Sequence, residues 1–137
     1  MLEAFAQISW IGVVVATVVL TVLGGLYFVL LVPEQYLRVL GREGVEAPAP
    51  TVVAAVGPLV CGFLTVLASA VLVAALDIES LGEAVVFGLV VGVGYLVAMT
   101  FQIAINPNFP HPIGYGLLNA PYFLVGSVLT SVVLALL

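Results

Sequence analysis

The sequence predicts an all-α integral membrane protein whose four transmembrane helices form an antiparallel bundle, and three observations carry that expectation. Apolar residues make up 64% of the 137 positions, charged residues only 7%, and the mean hydropathy is +1.39; a soluble domain carries roughly 25% charged residues. The apolar residues divide into four runs, near 8–32, 52–76, 81–105 and 113–137, each meeting the ~20 residues that a span requires. Turn chemistry separates them: six of the eight prolines fall between the runs. One domain over residues 1–137 follows.

The first run stays apolar from Ile8 to Val32 after a Met-Leu-Glu start. A cleaved signal has a basic start and an apolar core of about 7–15 residues, so the run reads as a retained span. Trp10 stands where an interfacial aromatic belongs, and Trp10, Thr17, Thr21, Gly24 and Phe28 share the side predicted to face the bundle. Pro33 ends the span because proline lacks the amide donor and disfavours helix before it. Glu34 to Leu40 reads as a short interfacial helix stopped by Gly41 or Gly44, and Ala47-Pro-Ala-Pro50 as a stiff connector.

Thr51 is the expected N-cap of the second span. Pro58 within it is either an early-turn proline or a kink, and Pro58, Gly62, Thr65 and Ser69 line one side. The connection Asp77-Ile-Glu79 is so short that spans two and three are expected to form an antiparallel hairpin. Ser80-Leu-Gly-Glu83 reads as a capping box, which accounts for Glu83 structurally.

The third span carries the densest pattern. At ~100° per residue, Gly88, Gly92, Tyr95, Met99, Gln102 and Asn106 fall within an arc of about 80°. Gly88 and Gly92 form a small-xxx-small pair suited to close helix contact, within the bundle or between protomers. Asn106-Pro-Asn-Phe-Pro-His-Pro112 then turns the chain, since its prolines stop helix. In the fourth span Tyr115, Asn119, Tyr122 and Gly126 again share one side, and Pro121 frees the carbonyl near Leu117 for a neighbouring group. Because the third and fourth spans meet at this loop, Gln102, Asn106, Tyr115, Asn119 and Tyr122 are expected to converge. They either satisfy one another or line a pocket for a lipid headgroup, a quinone-like molecule or a partner's polar side chain. Gly24, Gly88, Gly92 and Gly126 are the expected helix-packing positions.

Much chemistry is excluded. The formal net charge is −5, with Arg38 and Arg42 as the only basic side chains besides His111, leaving no footprint for nucleic acid. Without lysine no Schiff base forms. A single histidine and a single cysteine, His111 and Cys61, exclude bis-histidine haem ligation and a disulfide within one chain, and Cys61 is expected to be packing. No Gly-x-Ser-x-Gly signature appears. Neither an enzyme, a cofactor nor a metal site is expected.

The residues resemble a known family. Ile8-Ser-Trp-Ile-Gly-Val-Val, then Val22-Leu-Gly-Gly-Leu-Tyr27 with Pro33 after it, look like the opening of the domain of unknown function 1761, with Ser9 and Tyr27 departing from its Asn-Trp and Gly-x-Leu-Trp-Tyr pattern. Gly92-Val-Gly-Tyr, Asn106, Pro112 and Asn119-Ala-Pro-Tyr122 resemble its closing helices. The resemblance covers nearly the whole chain and implies about four helices and no established activity.

The expected function is therefore that of an accessory or scaffold subunit, or a homo-oligomer, in the cell membrane, with the lipid bilayer and a larger membrane complex as partners. The alternative is a small-solute or ion transporter or channel using neutral polar helix faces. Nothing ionisable lies between Glu3 and Glu34, so the carboxylate a proton-coupled exporter places in its first span is missing. Arg38 and Arg42 follow the first span, so the positive-inside rule puts that loop in the cytoplasm and both termini outside.

Overall fold

The helices after the first short turn each start on a capping side chain or a proline. The computed structural model describes residues 3–45 and 51–137; the Ala47 to Pro50 connector lies outside them. Among the described residues the chain is all-α, with α1 (Ala4–Gln7), α2 (Trp10–Leu31), α3 (Pro33–Val39), α4 (Val52–Ala75), α5 (Leu81–Ala104) and α6 (Pro112–Leu136). Helices α2, α4, α5 and α6 are long and apolar enough to cross a membrane. Ser9 caps α2 by accepting the Gly12 amide at 3.1 Å, and Thr51 caps α4 by accepting that of Ala54 at 3.2 Å. Ser80 and Glu83 form a reciprocal capping box on α5, and α6 opens on Pro112, whose missing amide costs nothing in a first turn.

The stops are equally local. Gly41 has φ +65°, with its amide on the Arg38 carbonyl and the Arg42 amide on that of Leu37, the double closure that a left-handed residue makes after a helix. Asp77 does the same for α4 at φ 51°, and Ile78, whose amide reaches the Val73 carbonyl, packs against the core.

Helix α6 is the hub, packing on α2, α4 and α5, whereas α5 packs on α6 alone among the long helices to any substantial extent. The expected hairpin is thus corrected: after the Asp77 turn α5 leaves α4 and packs on α6. Small residues decide this. A Cβ built on Gly88 would lie 2.6 Å from the Val128 Cα, and one on Gly92 would lie 3.3 Å from Leu124 and Ser127 side-chain atoms. On the opposite side of α6, a Cβ on Gly126 would meet Leu20 at 2.7 Å, and one on Gly24 the Tyr122 ring at 3.4 Å. These approaches have no room for a side chain at Gly88 and little at the others.

The polar stripe expected along α5 does not form. Residues Gly92–Val97 make a π-helical turn, which holds one residue more than an α-turn would and so rotates everything after it by about one residue's ~100°. The buried positions are Ala84, Gly88, Gly92, Thr100 and Ala104, the last two falling one residue after Met99 and two after Gln102 of the expected stripe. Tyr95, Met99 and Gln102 are exposed instead. In α2 the buried residues are Gly12, Val13 and Ala16, and Trp10 is 60% exposed, so Trp10 lies off the bundle-facing side, whereas Gly24 and Phe28 of the same stripe meet Tyr122 of α6. A second π turn, Leu26–Leu31, ends α2.

The apolar core gathers at one end, where Ala4, Ile8, Val13 and Ala16 meet Val66, Ala70, Val73 and Leu134. Helix α4 is buried only over Val66 to Val73. Its first half stands away from α6.

Gly88→Ala is expected to destabilise the fold by about 1–3 kcal/mol, because backbone, not a flexible side chain, meets the new methyl. Gly94→Ala, where nothing lies within 4 Å, is the control. Unfolding of both variants in mixed micelles checks the contrast; equal stability would show that α5 and α6 are not in backbone contact.

Candidate functional site

Where α4 diverges, a cavity of about 520 Å³ opens between α2, α4 and α6, with Leu96 of α5 on its wall. Pro58, Gly62, Thr65 and Ser69 line it from α4, Thr21, Gly24 and Phe28 from α2, and Asn119, Tyr122, Gly126, Ser127 and Thr130 from α6. The polar sides of α2, α4 and α6 therefore face one space.

The wall is mostly apolar, and the polar side chains set in it are neutral. Thr21, Thr65 and Ser69 donate their hydroxyl protons to the carbonyls of Thr17, Cys61 and Thr65 at 2.8, 3.0 and 2.9 Å. Asn119, only 4% exposed, donates its amide nitrogen to the Tyr115 carbonyl at 2.8 Å. A carbonyl accepts only from nitrogen, which fixes the amide's orientation. Among the described residues, no Asp, Glu, His, Lys or Arg lines the cavity.

Aromatic rings close the end nearest α3. Phe109 meets Tyr115 edge-on at 4.9 Å, Tyr115 lies 6.1 Å from Tyr36, Tyr36 meets Phe28 at 5.3 Å, and Phe28 meets Tyr122 at 5.1 Å. Tyr27 stacks on Tyr122 at 6.3 Å and donates its hydroxyl to the Leu118 carbonyl at 2.7 Å. That bond falls one residue after the Leu117 carbonyl that Pro121 deprives of its amide, and it ties α2 to α6 where proline weakens the ladder.

Of the five residues expected to converge, Tyr115, Asn119 and Tyr122 are brought into this region. Gln102 and Asn106 are not. Gln102 is exposed on α5 after the π turn, and Asn106 spends its side chain on the Ile103 carbonyl and, at 2.8 Å, the Asn108 amide. Phe101 takes the inward place, its ring against Gly116. Cys61 is exposed and on the cavity wall rather than packed. Tyr27, Tyr36, Ser127 and Thr130 join the region without having been expected there, and of these only Thr130 continues the Asn119-Tyr122-Gly126 spacing.

The matching profile spans residues 11–135 and is that of a protein of unknown function, DUF1761. The chain belongs to the DUF1761 family. The match covers the four long helices almost end to end, so the cavity lies wholly inside the segment this DUF1761 member shares with its family. No curated protein and no solved structure matches the chain.

Tyr36, on α3 and outside the long helices, has its phenol pushed up by burial from 10.0 to about 12, with Tyr115 adding to the rise and Arg42 opposing it. The folded state holds this proton where the unfolded chain has lost it. The contribution is therefore complete below pH 10 and fades as pH climbs from about 10 to 12. Unfolding midpoints against pH should show that decline, and Tyr36→Phe should flatten it; an equal decline in the variant would assign it elsewhere.

Proposed function

We propose that this DUF1761 protein is a multi-pass protein of the cell membrane, its four long helices crossing as an antiparallel bundle, and that it holds a small molecule in its interior rather than catalysing a reaction. The cavity carries this reading. Its volume falls within the ~300–1,000 Å³ of small-molecule sites, which are apolar with a few placed polar groups. Among its described residues the wall holds no carboxylate, imidazole or amine, only the weakly acidic Tyr36, Cys61 and Tyr122, and the single histidine, His111, sits exposed in the loop before α6.

An accessory or oligomeric role has its own support in the outer side of α5. Tyr95 is 69% exposed and Gln102 is exposed one helical stretch later, and in lipid such groups suit a protein neighbour. Native mass spectrometry of the full chain extracted from its own membranes reads both. A retained small molecule, lost in Gly62→Leu, is expected for a holder; bare protein under every extraction condition would overturn that role, and a defined heteropartner would put the accessory role in its place.

Orientation follows from Arg38 and Arg42, which flank the C-terminal end of α3 and favour the cytoplasm. Reporter fusions at Glu43 and Glu79 should read cytoplasmic and external respectively. A cytoplasmic signal from Glu79 would reverse the assignment.

A further inference from the structure

The hydrogen-bond inventory of the cavity is lopsided. The protons of Thr21, Thr65 and Ser69 are already committed to backbone carbonyls, so these hydroxyls can only accept from anything inside. Asn119 gives one of its two N–H groups to the Tyr115 carbonyl, and its amide oxygen accepts no hydrogen bond from the described residues while the side chain lines the cavity. Asn119 as a residue is 4% exposed, and no buried side-chain oxygen among the described residues lacks a partner, so this oxygen keeps its access through the cavity, where a ligand that fills the space must supply a donor. Rotatable hydroxyls on Tyr122, Ser127 and Thr130 can serve either way, and none of them is given to Asn119.

We propose that the cavity binds a neutral amphiphile bearing a hydroxyl group, an alcohol or phenol, whose proton goes to the Asn119 amide oxygen while its apolar body lies along Phe28 and Leu59. The inference rests on the ligand-holding role. Charge is selected against from both sides: a cation finds no carboxylate among the described residues of this wall, and an anion meets the lone pairs of three committed hydroxyls and of the Asn119 oxygen. Molecules that only accept, such as ketones, ethers and oxidised quinones, can take a proton from a rotatable hydroxyl or from the second Asn119 N–H but leave the asparagine oxygen unpaired. The aromatic rings above it, Phe28 against Tyr122 at 5.1 Å, give a flat apolar body a face to stack on.

A matched pair of probes isolates the one proton. 4-Decylphenol and its methyl ether share an apolar body and differ in the donor. The full-length protein in phosphatidylcholine nanodiscs is melted by circular dichroism against increasing mole fraction of each probe in the lipid, since binding to the folded state raises the midpoint. The phenol should act at a mole fraction about tenfold lower than the ether, as for one hydrogen bond of roughly 1.4 kcal/mol. Asn119→Leu should abolish that ratio. Because Asn119→Leu also removes the bond to Tyr115, Gly62→Leu serves as a second variant: it leaves that bond in place and should remove saturation by both probes. Equal action of phenol and ether, blocked by Gly62→Leu, would overturn the hydroxyl selectivity and leave the ligand-holding role standing. A ratio that persists in folded Asn119→Leu would overturn the role of its oxygen. No saturable shift with either probe, the behaviour of a cavity filled by water alone, would overturn both.

Discussion

Everything in this fold hangs on how closely α6 is approached. Gly88 brings α5 so near that a methyl would stand 2.6 Å from the Val128 backbone, while Gly126 admits Leu20 of α2 from the other side. Between them α6 buries Ser127, Thr130 and Ser131, residues small enough to let neighbours in and polar enough to bond back to their own helix, as Ser131 does to the Ser127 carbonyl at 2.8 Å. In an apolar surrounding there is little hydrophobic force between helices, so dispersion at short range has to hold them. With α5 drawn to one flank of α6 and α2 to the other, α4 is left to pack by its second half only. The cavity is the space that this arrangement leaves.

That space has a definite chemical character because serine and threonine bond backward along their own helices. Such back-bonding satisfies the hydroxyl without a partner from another helix, and it turns a side of the helix into a row of lone pairs. Proline contributes in the same direction. Pro121 interrupts α6 beside the cavity, and Tyr27 reaches across from α2 to a carbonyl there, so one interior donor is spent on the scaffold. The aromatic chain from Phe109 to Tyr122 then fixes α3 over the same end, with Gly41 close enough to Pro110 that a Cβ would meet its ring at 2.8 Å.

The all-α class is plain from composition, and the helix boundaries follow signals that act within a few residues: Ser9, Thr51 and Ser80 as caps, Pro33 and Pro112 at starts, Gly41 at a stop. The α4 side of the site is equally readable, since Pro58, Gly62, Thr65 and Ser69 sit on an unbroken stretch of helix and keep their phase. What failed was phase beyond a defect. The π turn at Gly92–Val97 carries no signature other than its two glycines, and it moved Tyr95, Met99 and Gln102 from the inner side to the outer one. The π turn at Leu26–Leu31 follows another glycine pair, Gly24-Gly25, and sets the Tyr27 and Phe28 rings against α6. Which helices touch was also illegible: a short connection dictates direction reversal, but the partner of α5 is chosen by Gly88 and Gly92, whose match on α6 lies some forty residues later.

The central place of α6 has a consequence for how the protein is made. Translation delivers the four long helices in chain order, so α2, α4 and α5 leave the ribosome before the surface they pack on exists. Helix α5 is the extreme case, with no substantial contact to either long helix that precedes it. Until α6 emerges, the close-approach face of Gly88 and Gly92 is without its counterpart, and any chaperone or insertion machinery that shields nascent helices would have to shield this one until the final segment arrives.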